Sequence, residues 1–517
     1  MNICMKRTVP YLLYSFLVAF PFLANGESIR KILIKSSGSV NLSSVQAILN
    51  DVLKPDMSNN EKVSAILYFL RTHSYNHYYP TEFVNSRDQG MCGEDPVKFF
   101  NIYPWGPCTV YQDIQGHLYT AAGFTVRKKV ITAMGAHAIV ELFYDNAWHY
   151  VDGSMGLYFF KRDGKTIASM DDLLNDHMLL LNPVSREGFL ADRTEKSLAE
   201  YLKQLTSGPI VENGIYITGR NFHEMGIDLS KGDEYILSTE KEGKDGFWFH
   251  PSDMKPALEN LINKKLKARG FPLLPGNGPC PDPVKIKPPN KNYKFSGFSN
   301  SKLICKLLSK DGINQDRIVH KKNICLENSV ASSVHPGKKT EDAEIIYKIA
   351  VPYIIVKGTL DLEVSSDKSA DIGISISRDG KIFHELPEKI PFREGLNSYD
   401  ISKLIYGKYE YFLKVSFPAS ENPTRLNALK LQTVMQSAPA SVPGLKQGKN
   451  EIAFNCENPT ALDKSKLFIS FSWEEKTDGE KKTIQKTIEK EIKKDRRNFE
   501  MDCNGIPSVK NVKISVK

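Results

Sequence analysis

The sequence predicts an α+β fold followed by β-sandwich-like domains, and three observations carry that expectation. Helical and strand periodicities alternate between Glu27 and about Leu205. A Pro-, Gly- and Lys-rich stretch, Pro272 to Pro289, has the composition of a linker, and strand-like alternation follows it. A second break, "QSAPASVPGLKQGKN", precedes a smaller strand-rich tail. The chain has 517 residues, and at roughly 150 residues per domain it is too long for one ordinary domain. The expected division is 1–26 as a signal peptide, 27–205 as a mixed domain, 206–290 as a short β segment with the linker, 291–435 as a β-sandwich and 436–517 as a small β-rich domain.

Lys6 and Arg7 precede the apolar run "VPYLLYSFLVAFPFL", and the small residues Ala24 and Gly26 suit cleavage before Glu27. This pattern predicts export, to the periplasm or the exterior. The run is short for a membrane span, and no later stretch reaches the roughly 20 apolar residues that a span needs. Apolar and charged fractions of 41% and 25% are those of globular protein and exclude disordered and collagen-like classes. The formal charge of +9 falls to +7 with Lys6 and Arg7 removed. Its basic runs, such as "EKKTIQKTIEKEIKKDRR", are interleaved with acids and lack an aromatic stacking pattern, so a nucleic-acid partner is not expected.

The elements follow in order. "SNNEKVSAILYFLRTH" has Ser58 and Glu61 at capping-box spacing, with Val63, Ile66, Leu67 and Leu70 on one helical face. A second helix runs from Thr109 to about Ala122, with Val110, Ile114, Leu118 and Ala121 recurring, and Gly123 stops it. "FTVRKKVITAM", "HAIVELFY" and "AWHYVDG" read as strands, the last two joined at a hairpin-type Asp145-Asn146. "MDDLLNDHMLLL" and "SLAEYLKQL" read as closing helices, and "FHEMGIDLSKGDEYIL" as a short β pair. Farther on, "IIYKIAVPYIIVKGTLDLEVSS", "DIGISISRDGKIFHEL" and "GKYEYFLKVSF" alternate as the strands of an antiparallel sandwich.

Eight cysteines occur, and loss of Cys4 with the signal leaves an odd seven, so at least one thiol is unpaired or paired between chains. Cys305 with Cys325, and Cys456 with Cys503, are candidate bridges. Cys108 has two readings: half of a disulfide with Cys92, or a nucleophile. Gly106-Pro107 and the helix after it place its sulfur at the positive end of a helix dipole, which lowers a thiol's pKa and supplies N–H groups for an oxyanion. A histidine must come from elsewhere, and His137 is the best placed. If Asp145-Asn146 form an even loop, Tyr144 pairs with Ala147 and Asp152 falls opposite Ile139. His137 and Asp152 are then diagonal neighbours on one face, roughly 7–8 Å apart at the backbone. Nucleophile, base and orienting carboxylate would form a Cys108–His137–Asp152 triad.

"GPC", then "GFTVR" beginning fifteen residues on, then "HAIVELFYDNAWHYVDG", resemble the core of the transglutaminase-like superfamily, a papain-related group. Cys108, Gly123, Arg127, His137, Trp148 and Asp152 match its pattern in order and approximate spacing, over roughly Asn60 to Gly153. Gly153 stands where the family often has Pro, and Ala138-Ile139 where Ala-Trp is common. The resemblance implies an N-terminal transglutaminase-like, cysteine-protease-type domain, a helix bearing the Cys packed on an antiparallel sheet. It implies acyl transfer through a thioester, with hydrolysis of peptide or amide bonds ahead of cross-linking Gln to an amine. The implied substrate is a protein or peptide.

The rival expectation is a catalytically silent surface or binding protein, with the β domains as candidates for carbohydrate or cell-surface contact. No cofactor or metal site is expected. His73 and His77 are spaced i, i+4 but lack an HExxH glutamate, and "MDDLLNDHM" reads as a helix start, not a calcium loop. Trp148 is expected to pack on the triad face. Trp105 or another upstream polar or aromatic group is a candidate oxyanion aid, and His117 is expected either to face outward or to pack.

Overall fold

The computed structural model describes residues 28–76, 95–132, 137–191, 193–216, 220–242, 298–310, 312–327, 332–365, 372–386, 395–422, 424–476 and 483–517. The signal-like segment 1–26, His77, Cys92, Cys280 and the Pro-rich stretch 272–289 lie outside them. The fold is α+β, with helices and several antiparallel sheets.

β1 (Ile29–Ser36) is followed by α1 (Val45–Val52) and α2 (Asn59–Thr72). The Ser58–Glu61 capping box is closed in both directions. Such a cap is worth about 1 kcal/mol, whereas each fully buried aliphatic or Phe side chain contributes roughly 1.5–3 kcal/mol. Burial of Val63, Ile66, Leu67, Phe69 and Leu70 therefore dominates the stability of α2. The short strand β2 (Tyr75–Asn76) runs parallel to β3 (Trp105–Gly106), and α3 (Pro96–Asn101) lies between them in sequence. Asp95 caps α3 by accepting from the amides of Val97 and Lys98.

α4 (Cys108–Ala121) starts one residue earlier than the periodicity predicts, which puts Cys108 itself in its first turn. Gly123, at φ +97°, lets the chain leave the helix through a conformation that costs an L side chain strain. β4 (Thr125–Ile131), β5 (His137–Tyr144) and β6 (Ala147–Val151) form an antiparallel meander. Asp145 and Asn146 both have positive φ, 48° and 60°, as a type I′ hairpin turn requires. Tyr144 pairs with Ala147 and Val140 with Val151, the register of an even loop. α5 (Met170–Asn175), α6 (Met178–Leu181) and α7 (Glu195–Leu205) follow, and β7 (Ile210–Ile215) completes the sheet in the order β6-β5-β4-β7.

Each face of this sheet has its own core. Val126, Val140, Leu142 and Val151 share a cluster with Val110, Ile114 and Leu118 of α4. Ile131, Ile139 and Tyr150 pack instead with Met170, Leu173, Leu198, Tyr201 and Leu205 of the following helices.

Two strands expected to pair with each other do not. β8 (Ile227–Leu229) pairs with β1, and β9 (Glu234–Ser238) lies between the strands Ser299–Ser309 and Ile506–Val516. The turn between them is fixed by the buried Asp233, which accepts from the Ser230 amide at 2.9 Å and from Arg317 Nη2 at 2.6 Å. That ion pair lies where the chain passes from one sheet to the other. β1 also pairs with Gly448–Asn455, so the first described strand shares a four-stranded sheet with Gly448–Asn455 and Asn498–Cys503, while the last strand, Ile506–Val516, lies in the eleven-stranded sheet.

Beyond residue 298 the chain is mostly strand. A five-stranded sheet containing Ala343–Ala350 and Glu410–Phe417 faces a larger one containing Ser299–Ser309, Ile354–Ser365 and Arg425–Ser437. Alternate residues Ile345, Tyr347, Leu413, Val415, Leu360 and Leu431 fill the space between, and Tyr411 Oη meets Thr433 Oγ1 across it at 2.9 Å. This core is continuous with that of α2 and α4. No helix among the described residues is long and apolar enough to cross a membrane.

The two candidate disulfides are absent: Cys305, Cys325, Cys456 and Cys503 are all thiols. The topology accounts for this. Cys325's strand is three places from Cys305's in the sheet, about 14 Å at normal strand spacing, whereas a disulfide needs Cα atoms within about 7 Å. Cys503 pairs with Gly448 at one end of a strand and Cys456 follows its other end, on the order of 26 Å away.

Candidate active site

The local sequence positions Cys108. Pro107 occupies the N-cap of α4 without a side-chain cap bond, and the helix dipole points its positive end at the first turn. Gln112, one turn on, donates from Nε2 to the carbonyls of Ile139 at 2.6 Å and Lys129 at 2.9 Å. These two residues are paired on β5 and β4, so Gln112 pins the beginning of α4 to the strand that carries His137. Cys108 is a partly buried thiol.

His137 begins β5 and is 4% exposed, while Asp152, just past β6, is fully buried. His137 Nε2 lies 2.5 Å from Asp152 Oδ2. The same imidazole hydrogen-bonds Cys108, and the Asp152 contact leaves Nδ1 for the sulfur. The structure thus brings Cys108, His137 and Asp152 into one connected chain.

Sequence reasoning missed the groups that hold Asp152. Tyr201 of α7 donates its hydroxyl to Oδ2, while the Ser154 hydroxyl at 2.8 Å and the Met155 amide at 2.9 Å donate to Oδ1. A fully buried carboxylate otherwise pays several kcal/mol in lost hydration, and these donors offset that cost. The turn after Asp152 returns on itself, its amide donating to Leu157 O at 2.9 Å. Tyr201 also meets Tyr150 by hydroxyl contact. Its sequence signal was masked, because Leu198, Tyr201 and Leu205 form an ordinary apolar helix face.

The electrostatics follow from these contacts. Burial raises the Cys108 thiol, but the hydrogen bond and charge of His137, with the Ala138 amide, outweigh it and hold the pKa below its usual value. Burial would neutralise His137, yet the charge and hydrogen bond of Asp152, then Cys108, push its pKa up. Burial opposes ionisation of Asp152 too, and His137, Tyr201 and the Met155 amide reverse that, bringing it down to about 2. These contacts favour imidazolium at His137 and carboxylate at Asp152, and they shift Cys108 towards the thiolate.

The other matched residues are structural neighbours of this chain. Arg127 stacks over the Trp148 ring at 4.0 Å and donates from Nη2 to the buried Glu141 Oε2 at 2.7 Å. Trp148 also packs against Phe143 at 5.2 Å between ring centroids. Trp105 is buried against Tyr103. His117 packs between the Tyr216 and Phe222 rings, and His73 Nδ1 bonds Phe69 O at the end of α2.

No family model matches the chain, and no curated protein matches it. Among solved structures, it is similar to a protein from Parabacteroides distasonis ATCC 8503 described as secreted, at 10% identity over 40% of this chain and 95% of that one, with a TM-score of 0.12. A pilus backbone structure, RrgB from Streptococcus pneumoniae, is 9% identical over 37% of this chain and 74% of that one, with a TM-score of 0.09. The full-length RrgB structure is 9% identical over 56% and 55%, with a TM-score of 0.11. Similarity at this level carries no argument about fold or function.

Proposed function

We propose that the chain is an exported, transglutaminase-like cysteine enzyme that catalyses acyl transfer through a thioester, chiefly hydrolysis of peptide or amide bonds. The observation that supports this is the hydrogen-bonded chain Cys108–His137–Asp152 at the start of a helix. The Cys108 thiolate attacks a carbonyl carbon, and the developing oxyanion is stabilised by the positive end of α4. His137 gives its proton to the leaving amine, whose departure leaves the acyl group on sulfur as a thioester. His137, now neutral, takes a proton from water, the resulting hydroxide attacks the thioester, and the acid is released as the thiolate re-forms. Asp152 keeps the imidazole oriented throughout and stabilises it in the charged form each time it holds the extra proton.

The test is turnover of fluorogenic peptide and amide libraries, run beside a Gln-donor and amine-acceptor pair, by the full mature chain and by Cys108→Ala. Release of amine or ammonia that vanishes in a folded Cys108→Ala supports the proposal. Equal turnover in that variant, or none by the parent across both assays, rejects it. Isopeptide formation exceeding hydrolysis would correct the acceptor from water to amine.

A further inference from the structure

A second group of chemistry-bearing side chains lies in the sandwich region. Cys325 and Glu327 sit two residues apart on the edge strand Ile324–Glu327, and His335 stands directly opposite Cys325 on the strand Ser333–Pro336. Alternation along the strands puts all three on one face, while Val334, of opposite parity, is buried in the core. One donor atom from each, the Cys325 sulfur, a ring nitrogen of His335 and a carboxylate oxygen of Glu327, lies within 4.8 Å of both others. From these positions we infer that the hairpin binds a zinc-type divalent cation through Cys325 Sγ, His335 Nε2 and Glu327 Oε1, with water completing a tetrahedron.

Two features of the ligand atoms suit this arrangement to a metal ion. The first is the imidazole tautomer. His335 Nδ1 lies 2.9 Å from the Pro336 carbonyl, which can only accept, so Nδ1 carries a proton and Nε2 is the free ligand position. Metal-binding histidines are commonly oriented through their other nitrogen in this way. Nε2 is buried and lies 3.0 Å from Glu327 Oε1, so nitrogen and carboxylate oxygen already converge on one point.

The second feature is the carboxylate. Glu327 Oε2 is engaged by Arg425 Nη1 at 2.9 Å and Ser333 Oγ at 3.1 Å, which leaves Oε1 facing His335. Supporting bonds to the non-ligating oxygen make a one-oxygen ligand.

The donor set selects the ion. Thiolate, imidazole and carboxylate together suit zinc, while calcium and magnesium prefer all-oxygen shells. Zinc bonds of about 2.0–2.3 Å separate neighbouring ligand atoms by roughly 3.3–3.7 Å, so side-chain shifts of about 1 Å close the site. Binding releases the Cys325 proton to solvent. The spacing escaped sequence analysis because two ligands are i, i+2 on one strand and the third comes from its hairpin partner, a pattern outside the usual zinc motifs.

The experiment titrates Co²⁺ into reduced, oxygen-free, full mature chain carrying Cys108→Ala, which removes the other thiol–imidazole–carboxylate group. Thiolate-to-cobalt absorption in the near ultraviolet should saturate at one equivalent and be displaced by Zn²⁺. The absorption should disappear in Cys325→Ser, and affinity should fall at least tenfold in Glu327→Gln and in His335→Gln, each retaining its far-ultraviolet circular dichroism. Failure to saturate, or absorption unchanged in Cys325→Ser, overturns the site. So does unchanged affinity in both Glu327→Gln and His335→Gln. Glu327→Gln preserves the shape of the side chain and its Arg425 acceptor, so its effect reports metal ligation even if Cys325→Ser weakens the fold.

Discussion

His137 Nε2 lies 2.5 Å from Asp152 Oδ2, although His137 starts β5 and Asp152 lies just past the end of β6, in a register that makes the two diagonal and not directly opposed. The contact orients the imidazole and favours its charged form, and that charge with the His137 hydrogen bond lowers the Cys108 thiol pKa. Iodoacetamide should therefore label Cys108 rapidly well below pH 8. His137→Ala should slow labelling near pH 6 by roughly tenfold for every unit that the thiol pKa rises. Site-resolved mass spectrometry at several pH values checks this, and a profile unchanged by His137→Ala would end the ion-pair assignment.

Tyr201 acts on the reaction only through Asp152. Tyr201→Phe removes a hydrogen bond to a charged acceptor, worth about 1.5–3 kcal/mol, while leaving the ring in its packing site. The expected result is a lower kcat with little change in KM, together with an Asp152 pKa displaced upward and an acid limb shifted the same way. Asp152→Asn should cost more, on the order of 10²–10⁴-fold in kcat, because the imidazole loses its anionic partner. A Tyr201→Phe enzyme with an unchanged pH–rate profile would reduce Tyr201 to a packing residue.

The parts of this site that were legible in the sequence are those set by local periodicity. The capping box fixes α2, Gly123 ends α4, and two adjacent positive-φ residues make an even hairpin whose register carries His137 and Asp152 to one face. What stayed hidden depends on contacts between distant segments. Tyr201 reaches Asp152 from 49 residues away. β1 joins a strand more than 400 residues later, because its apolar positions Ile29 and Ile32 are completed by β8 and the C-terminal strands, not by the sheet nearest in sequence. Cysteine pairing failed for the same reason, since sequence spacing says nothing of how many strands intervene.

Arg127 and Glu141 test whether the resemblance marks a structural requirement. Glu141 has a 1% exposed side chain and is held by Arg127 at 2.7 Å, with the Met170 amide on its other oxygen. Arg127→Ala leaves that carboxylate buried with, among the described residues, Lys129 at 3.7 Å as its remaining cationic partner. The loss should be about 3 kcal/mol, seen as a lower urea midpoint at unchanged m-value. Adding Glu141→Gln should recover part of it by removing the stranded charge. Additive losses in the double variant would show that the pair is not energetically coupled.

The triad also predicts a pH dependence of stability, and the signs of its two buried members differ. Asp152 falls from an ordinary 3.8 to about 2 in the folded protein, so its contribution is complete above pH 3.8 and is lost as pH falls towards 2. His137 rises from 6.5 to about 10, so its contribution is complete below pH 6.5 and is lost as pH rises towards 10. A depressed thiol would add stability on the alkaline side, so the comparison belongs in a Cys108→Ala background. There the advantage of His137 over His137→Gln, measured by urea unfolding, should shrink steadily above pH 6.5, because Asp152 remains to keep the imidazole charged. The advantage of Asp152 over Asp152→Asn should hold from pH 7 to 4 and diminish below it. An advantage of His137 that stays level from pH 6.5 to 10 would mean that the buried imidazole is neutral, and that Asp152 orients it without charging it.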